Sequence, residues 1–163
     1  MEARKLTRRR IFHASPEEVF QAFVSAEALK EWWSPEGYIV IEAHADVRVG
    51  GQYSLVMRTE TGSETVYVRG SYEEIAPPHK LVFTHMFEHR GSDAPFVRVG
   101  LAAHLTRVTV EFKAHGSATE LVLVQEHIPT PDAEALVRVG WEGIFDHLAS
   151  YLGRAGRSDP RNA

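Results

Sequence analysis

The last long segment of the chain, Thr130 to Gly153, constrains the fold most, because both of its ends and one of its sides are typical of a single helix. Thr130 can cap the first turn, Pro131 suits the first helical position, and Gly153 can provide the left-handed residue that ends a helix. Apolar residues recur between these ends at helical spacing: Val137, Trp141, Ile144, Leu148 and Tyr151. Such a stripe needs a large apolar surface to lie on.

The rest of the chain can provide that surface, because most of it has the pattern of strands. A first strand is predicted at Leu6–His13, a short helix after the serine cap at Ser15, and a second helix at Ala26–Trp33. Six more strands are predicted from alternating or apolar runs: Tyr38–Ala45, Gln52–Arg58, Thr65–Ile75, Leu81–Phe87, Thr106–Ala114 and Thr119–His127. The stretch Glu88–Leu105 lacks periodicity and is predicted to be a long loop of the kind that often has a function.

This order of elements predicts an α+β fold. Consecutive strands joined by short connections are antiparallel, and a long antiparallel sheet twists and curls. We therefore expect a curved antiparallel sheet of about seven strands around a long C-terminal helix, with two short helices after the first strand. One domain is expected over residues 1–153, followed by a disordered tail over residues 154–163.

Composition excludes several classes of function. The chain of 163 residues contains no cysteine, which rules out disulfides, thiolate nucleophiles and cysteine-ligated zinc. Its net charge of −4 gives no general attraction to nucleic acid or to an anionic membrane. The basic residues near the start, Arg4, Lys5 and Arg8 to Arg10, suggest the protected edge of a sheet more than a nucleic-acid arm. No signal peptide or membrane span is expected, and the predicted location is cytoplasmic.

Few residues are candidates for metal binding or for catalysis. His85 and His89 are four residues apart, but on a strand that runs into a loop they would be too far apart to share a metal, so no metal site is predicted. His85 alone is a candidate polar anchor or general base, or a structural histidine held by a hydrogen bond. No phosphate-binding loop or nucleophile motif is present, and no cofactor is predicted.

Aromatic residues are the stronger indication of function. If the strand phases are right, one set of side chains lies between the sheet and the C-terminal helix, either as the lining of a ligand site or as ordinary core: Trp33, Tyr53, Met57, Phe83, His85, Phe87, Trp141 and Phe145. Gly140 and Gly143 each weaken a helix by about 1 kcal/mol relative to alanine. Something is therefore expected to approach the helix there: a ligand, the short helices or a second subunit.

Six segments in this order resemble a known family: S-P-E-E-V-F, L-K-E-W-W-S-P-E-G, D-V-R-V-G-G-Q-Y, G-S-Y-E-E-I-A-P-P-H-K-L-V-F-T, T-E-L-V-L-V-Q-E-H and G-W-E-G-I-F-D-H-L-A-S-Y-L. Over Leu6 to Leu152 the chain is similar to the AHSA1 (activator of Hsp90 ATPase homologue) branch of the START/Bet v 1-like (SRPBCC) superfamily. The resemblance implies a helix-grip fold with an apolar cavity. It implies no single activity, because members bind small hydrophobic molecules, cyclise polyketides or contact chaperones. Stimulation of Hsp90 is not expected, because nothing before Leu6 matches the co-chaperone's additional domain.

Three functions follow as hypotheses. The first is binding of a small hydrophobic molecule without turnover. The second is an enzyme of the cyclase, hydratase or hydrolase type, which would need a polar pair in the cavity with a strongly shifted pKa. The third is interaction with a chaperone or with a second copy of the chain, which would need an exposed apolar patch.

Overall fold

A computed structural model describes residues 4–88, 90 and 94–158. The strands are β1 (Arg4–Phe12), β2 (Tyr38–Ala45), β3 (Gln52–Thr59), β4 (Thr65–Ala76), β5 (Lys80–Phe87), β6 (Thr106–His115) and β7 (Ala118–Ile128). The helices are α1 (Pro16–Val24), α2 (Ala26–Trp32), α3 (Pro95–Arg98) and α4 (Pro131–Ser158). The predicted fold class is confirmed.

The seven strands form one antiparallel sheet in the order β1-β7-β6-β5-β4-β3-β2. Strands β2 to β7 therefore follow one another as a meander, and β1 is added at the far edge beside β7. The β2–β3, β4–β5 and β1–β7 ladders each contain a shift in register, which bends the strand where it occurs.

Helix α4 lies on one face of this sheet. Its apolar residues Trp141, Ile144, Phe145 and Leu148 are buried in the same core as inward-facing side chains of the strands, such as Leu55. Thr130 caps the helix as predicted, because its Oγ1 accepts a hydrogen bond from the N–H of Ala133 at 3.0 Å. The same hydroxyl donates to the carbonyl of Val99 at 2.8 Å and so fixes the start of α4 beside α3.

Two predictions about the chain's irregular segments are corrected. Helix α4 does not end at Gly153 but continues to Ser158, so residues 154–158 of the predicted tail are helical; residues 159–163 lie outside the described residues. An interior glycine costs only about 1 kcal/mol, and Gly153 has no positive φ that would end the helix. The predicted loop Glu88–Leu105 contains α3, which starts at Pro95 and is too short to show helical periodicity.

Two basic residues of β1, Arg8 and Arg10, face α4. Arg8 forms an ion pair with Glu142, and Arg10 reaches Glu142 at 3.1 Å and Asp146 at 2.7 Å. The prediction that β1 is an edge strand is confirmed, but these two arginines are not solvated charges. They connect the first strand to the last helix.

Candidate functional site

A cavity of about 270 Å³ lies between the sheet and α4. Its wall comes from the segment between α2 and β2, the start of β2, strands β3, β4, β5 and β7, the α3 region and α4. Exposed residues in its lining, Glu36, Pro95 and Val139, mark the opening to solvent. The deeper lining is almost entirely apolar and buried, as in most small-molecule sites.

Aromatic rings form a continuous arc along the cavity. Trp141 and Trp33 meet edge to face with ring centroids 5.3 Å apart, and Trp33 lies 6.0 Å from the ring of His85. The His85 ring in turn meets Phe87 at 5.3 Å, and Phe87 stacks on Phe96 at 4.8 Å. Aromatic pairs in such contacts each contribute about 0.5–1.5 kcal/mol beyond the burial of their area, so the rings of this wall stabilise one another.

A chain of hydrogen bonds holds the tryptophan side of this arc to the sheet. Trp141 Nε1 donates to Gln125 Oε1 at 2.8 Å, and Gln125 Nε2 donates to Thr106 Oγ1 at 2.9 Å. Thr106 Oγ1 then donates to the carbonyl of His85 at 2.8 Å. Each of these groups is buried, and each bond removes the cost of an unpaired polar group. The network fixes α4 to β7, β6 and β5 around the cavity.

His85 is a buried polar group in the lining of the cavity. Its ring is 7% exposed, and Nδ1 lies 2.8 Å from the hydroxyl of Tyr53. Burial lowers the pKa of His85 from 6.5 to about 4, so the imidazole is neutral near pH 7. Burial also raises the pKa of Tyr53 well above 10, which keeps its phenol protonated.

At the opening, Tyr38 is oriented by a carboxylate. Its hydroxyl donates to Glu64 at 2.6 Å, and burial together with that carboxylate raises the pKa of Tyr38 to about 12. Among the described residues that line the cavity, Glu36 is the only aspartate, glutamate, lysine or arginine, and it lies at the mouth. The described part of the interior therefore offers no aspartate, glutamate, lysine or arginine that could pair with an ionic group.

The structure brings five of the eight predicted site residues to the cavity: Trp33, Met57, His85, Phe87 and Trp141. The other three are elsewhere. Tyr53 and Phe83 face the correct side of the sheet but border a separate gap of only about 10 Å³. Phe145 packs against Phe12 and Trp141 with ring centroids 5.8 and 5.6 Å away. These three form core packing next to the cavity and not its wall.

The side of the cavity formed by the α3 region was not predicted from the sequence. The α3 region contributes Pro95, Phe96 and Leu101, which lie in a stretch without a recognisable period. Alternation along β4 places Val66 on the inward face and could have identified it. Gly140, noted for its helix-weakening effect, lines the cavity, and a Cβ added there would have no atom within 4 Å.

Gly143 has a different reason to be glycine. A Cβ at this position would lie 2.7 Å from the backbone nitrogen of Glu36. His147, one turn further along, contacts the carbonyl of Ser34 through Nδ1 at 2.6 Å. The turn that follows α2 therefore lies directly on α4, at a place where the short helices themselves, a ligand or a second subunit were expected.

No group of three His, Asp or Glu side chains comes together within residues 4–88, 90 and 94–158. The prediction that His85 and His89 are too far apart to share a metal involves His89, which lies outside the described residues. Over the same part of the chain, no helix is long and apolar enough to cross a membrane.

A curved antiparallel sheet, a long C-terminal helix against it and an apolar cavity between them define a helix-grip protein of the Bet v 1-like type. The chain belongs to the family of activator of Hsp90 ATPase homolog 1-like proteins, whose model matches residues 13–153. This confirms the family resemblance noted in the sequence. A search of curated proteins found no match.

Solved structures support the same fold. A protein from Chromobacterium violaceum is 25% identical, with 91% of this chain and 96% of that chain covered and a TM-score of 0.78. The AHSA1 protein of Silicibacter pomeroyi is 23% identical, with 93% and 99% covered and a TM-score of 0.76. A protein from Arthrobacter aurescens is 17% identical, with 93% and 87% covered and a TM-score of 0.77.

Proposed function

We propose that this protein binds a small hydrophobic molecule in the cavity between the sheet and α4. The observation that carries the proposal is the cavity itself, about 270 Å³ of mostly apolar space walled by rings that hold each other in place. An apolar cavity of about 150 Å³ binds benzene in another protein, so this one has room for roughly two fused rings.

Gly140 supports this proposal. Alanine at this position would strengthen α4 by about 1 kcal/mol, and no atom stands in the way of the extra methyl group. The chain nevertheless has no methyl group at this position, and the space around it stays empty of protein atoms. A ligand that occupies this space is a physical reason for such an arrangement.

The enzyme hypothesis has one specific observation in its favour, the buried pair of His85 and Tyr53 with shifted pKa values. A general base works best when its pKa lies near the operating pH. With a pKa of about 4, His85 would take a proton from a substrate only weakly at neutral pH. Binding without turnover is the function that this geometry favours.

The test is equilibrium dialysis with naphthalene on the wild type and two variants of α4. Gly140→Leu fills the cavity from the helix side, and Ser150→Leu adds the same side chain at an exposed position of the same helix. We expect saturable binding to the wild type and to Ser150→Leu, and at least tenfold weaker binding to Gly140→Leu. No saturable binding to the wild type, or equal binding to both leucine variants, would refute the proposal.

Native mass spectrometry of the purified protein complements this test. A hydrophobic mass that is released on denaturation would begin to identify the natural ligand. The same spectrum counts subunits and so decides whether the chain forms a homodimer, which is one of the alternatives considered from the sequence.

A further inference from the structure

The tautomer of His85 can be assigned from a single hydroxyl group. Tyr53 Oη lies 2.7 Å from the carbonyl oxygen of Thr84 and 2.8 Å from His85 Nδ1. A carbonyl oxygen only accepts, so the one phenolic hydrogen goes to Thr84. The contact with His85 then requires a hydrogen on the imidazole, and Nδ1–H donates to Tyr53 Oη. Since the neutral ring has one N–H, Nε2 carries a free lone pair.

Close packing holds this arrangement in place. Tyr53 crosses β4 at Gly70, where an added Cβ would lie 1.9 Å from the Thr84 oxygen and 2.6 Å from the tyrosine ring. Ser71 N donates to Thr84 Oγ1 at 2.9 Å, so the side chain of Thr84 takes part in pairing the two strands here. The tyrosine hydroxyl consequently has a fixed position between the carbonyl and the imidazole.

Nε2 of His85 is directed to the cavity. His85 lines the cavity, whereas Tyr53, the partner of Nδ1, does not. Nδ1 therefore lies on the Tyr53 side of the ring, and Nε2 lies on the side that is left for the cavity. In the described part of the chain Nε2 has no hydrogen-bond partner, and it is not among the fully enclosed side-chain atoms that lack one. It is an acceptor on a side chain more than nine-tenths buried, in a lining where the buried polar side chain of Gln125 is already paired with Trp141 and Thr106.

We infer that His85 selects, among hydrophobic molecules, those with an uncharged hydrogen-bond donor, such as a phenol or another hydroxylated ring compound of about two rings. This inference rests on the proposed function and specifies its ligand class. A ligand hydroxyl pairs with the Nε2 lone pair, whereas a carboxylate presents lone pairs to it and finds no lysine or arginine among the described lining residues. A ligand without a donor leaves the buried acceptor unpaired.

Two probes of nearly equal shape test the selectivity. 2-Naphthol and 2-methylnaphthalene differ in a hydroxyl and a methyl group, and only the former can donate. Binding of both is measured by equilibrium dialysis on the wild type and on His85→Phe, which keeps a ring but removes the acceptor. We expect the preference for naphthol over methylnaphthalene to fall about tenfold in the variant, the equivalent of one hydrogen bond. Comparing the ratio in the two proteins cancels the different hydration of the probes.

The tautomer is measured separately, without any ligand, from the ¹⁵N resonances of the His85 ring. The pyridine-type nitrogen resonates far downfield of the pyrrole-type nitrogen, and we expect it to be Nε2. In Tyr53→Phe, which removes the hydroxyl, this strong preference for one tautomer should be lost. A pyridine-type Nδ1 in the wild type would overturn the assignment.

The outcomes distinguish this inference from the proposed function. An unchanged probe preference in His85→Phe, with both probes still bound, would overturn the inference and leave hydrophobic binding intact. No saturable binding of either probe to the wild type would overturn both. Circular dichroism of each variant establishes that it has folded.

Discussion

Two glycines three residues apart in α4 give a sharp test of the structure. A Cβ at Gly140 would meet no atom within 4 Å, whereas a Cβ at Gly143 would lie 2.7 Å from the backbone nitrogen of Glu36 and 3.5 Å from the carbonyl carbon of Pro35. The same substitution, glycine to alanine, should therefore have opposite effects at the two positions.

The magnitudes follow from two opposing contributions. Alanine strengthens the interior of a helix by about 1 kcal/mol at either site, so Gly140→Ala should raise the melting temperature by about 2–4 °C in a chain of this length. At Gly143 the added methyl group collides with backbone, and overpacking of this kind costs about 1–3 kcal/mol. Because the helix contribution is common to both variants, Gly143→Ala should be less stable than Gly140→Ala by about 1–3 kcal/mol.

Urea denaturation measures this difference, provided that the dependence of unfolding free energy on urea is the same in both variants. Equal stability of the two variants would show that the segment at Glu36 does not lie on α4 as described. A loss of stability in Gly140→Ala would show that the space beside Gly140 is not open.

Two further predictions concern the base of the cavity. The pKa of His85 is lowered by burial from 6.5 to about 4; the unfolded chain therefore takes up a proton near pH 6.5, and the folded chain only near pH 4. Stability should fall between these values by up to about 3 kcal/mol. Urea denaturation at a series of pH values from 7 to 4 should show this loss of unfolding free energy in the wild type and not in His85→Phe. Identical dependence on pH in the two proteins would argue against a buried neutral imidazole. Gly70→Ala should destabilise the protein by at least about 2 kcal/mol, because its Cβ would collide with the Thr84 carbonyl and the Tyr53 ring; a thermal melt like that of the wild type would contradict this close approach.

The strands and their faces were predictable because their signals are local. Alternation in β3 places Tyr53, Leu55 and Met57 inward, and all three are buried. Capping of α1 by Ser15 follows from four consecutive residues and is found as predicted, with the N–H of Glu18 bonded to the serine hydroxyl at 3.2 Å. Such features depend on neighbours in sequence and not on the assembled fold.

The limits of the cavity were not predictable in the same way. Period-two alternation indicates which face of β5 carries Phe83 and His85, but it does not say where along the strand the space begins. That boundary depends on where α4 and α3 cross the sheet, and only His85 of the pair lines the cavity. For the same reason Phe145, one turn beyond Trp141, was expected at the cavity and is found in the core beside β1.

The position of β1 has a consequence for how the protein is made. This strand is synthesised before the other six strands of the sheet, yet its only neighbour in the described sheet is β7. Thr119 Oγ1 of β7 donates a hydrogen bond to the carbonyl of Ala14, 105 residues away in sequence. The ion pair between Arg10 and Asp146 spans 136 residues. On the ribosome, the first strand must therefore remain without its partner until most of the chain has emerged, and contacts between such distant residues form slowly. The strand contains three consecutive arginines, Arg8 to Arg10. Charged side chains of this kind oppose the pairing of an unpartnered strand with other chains.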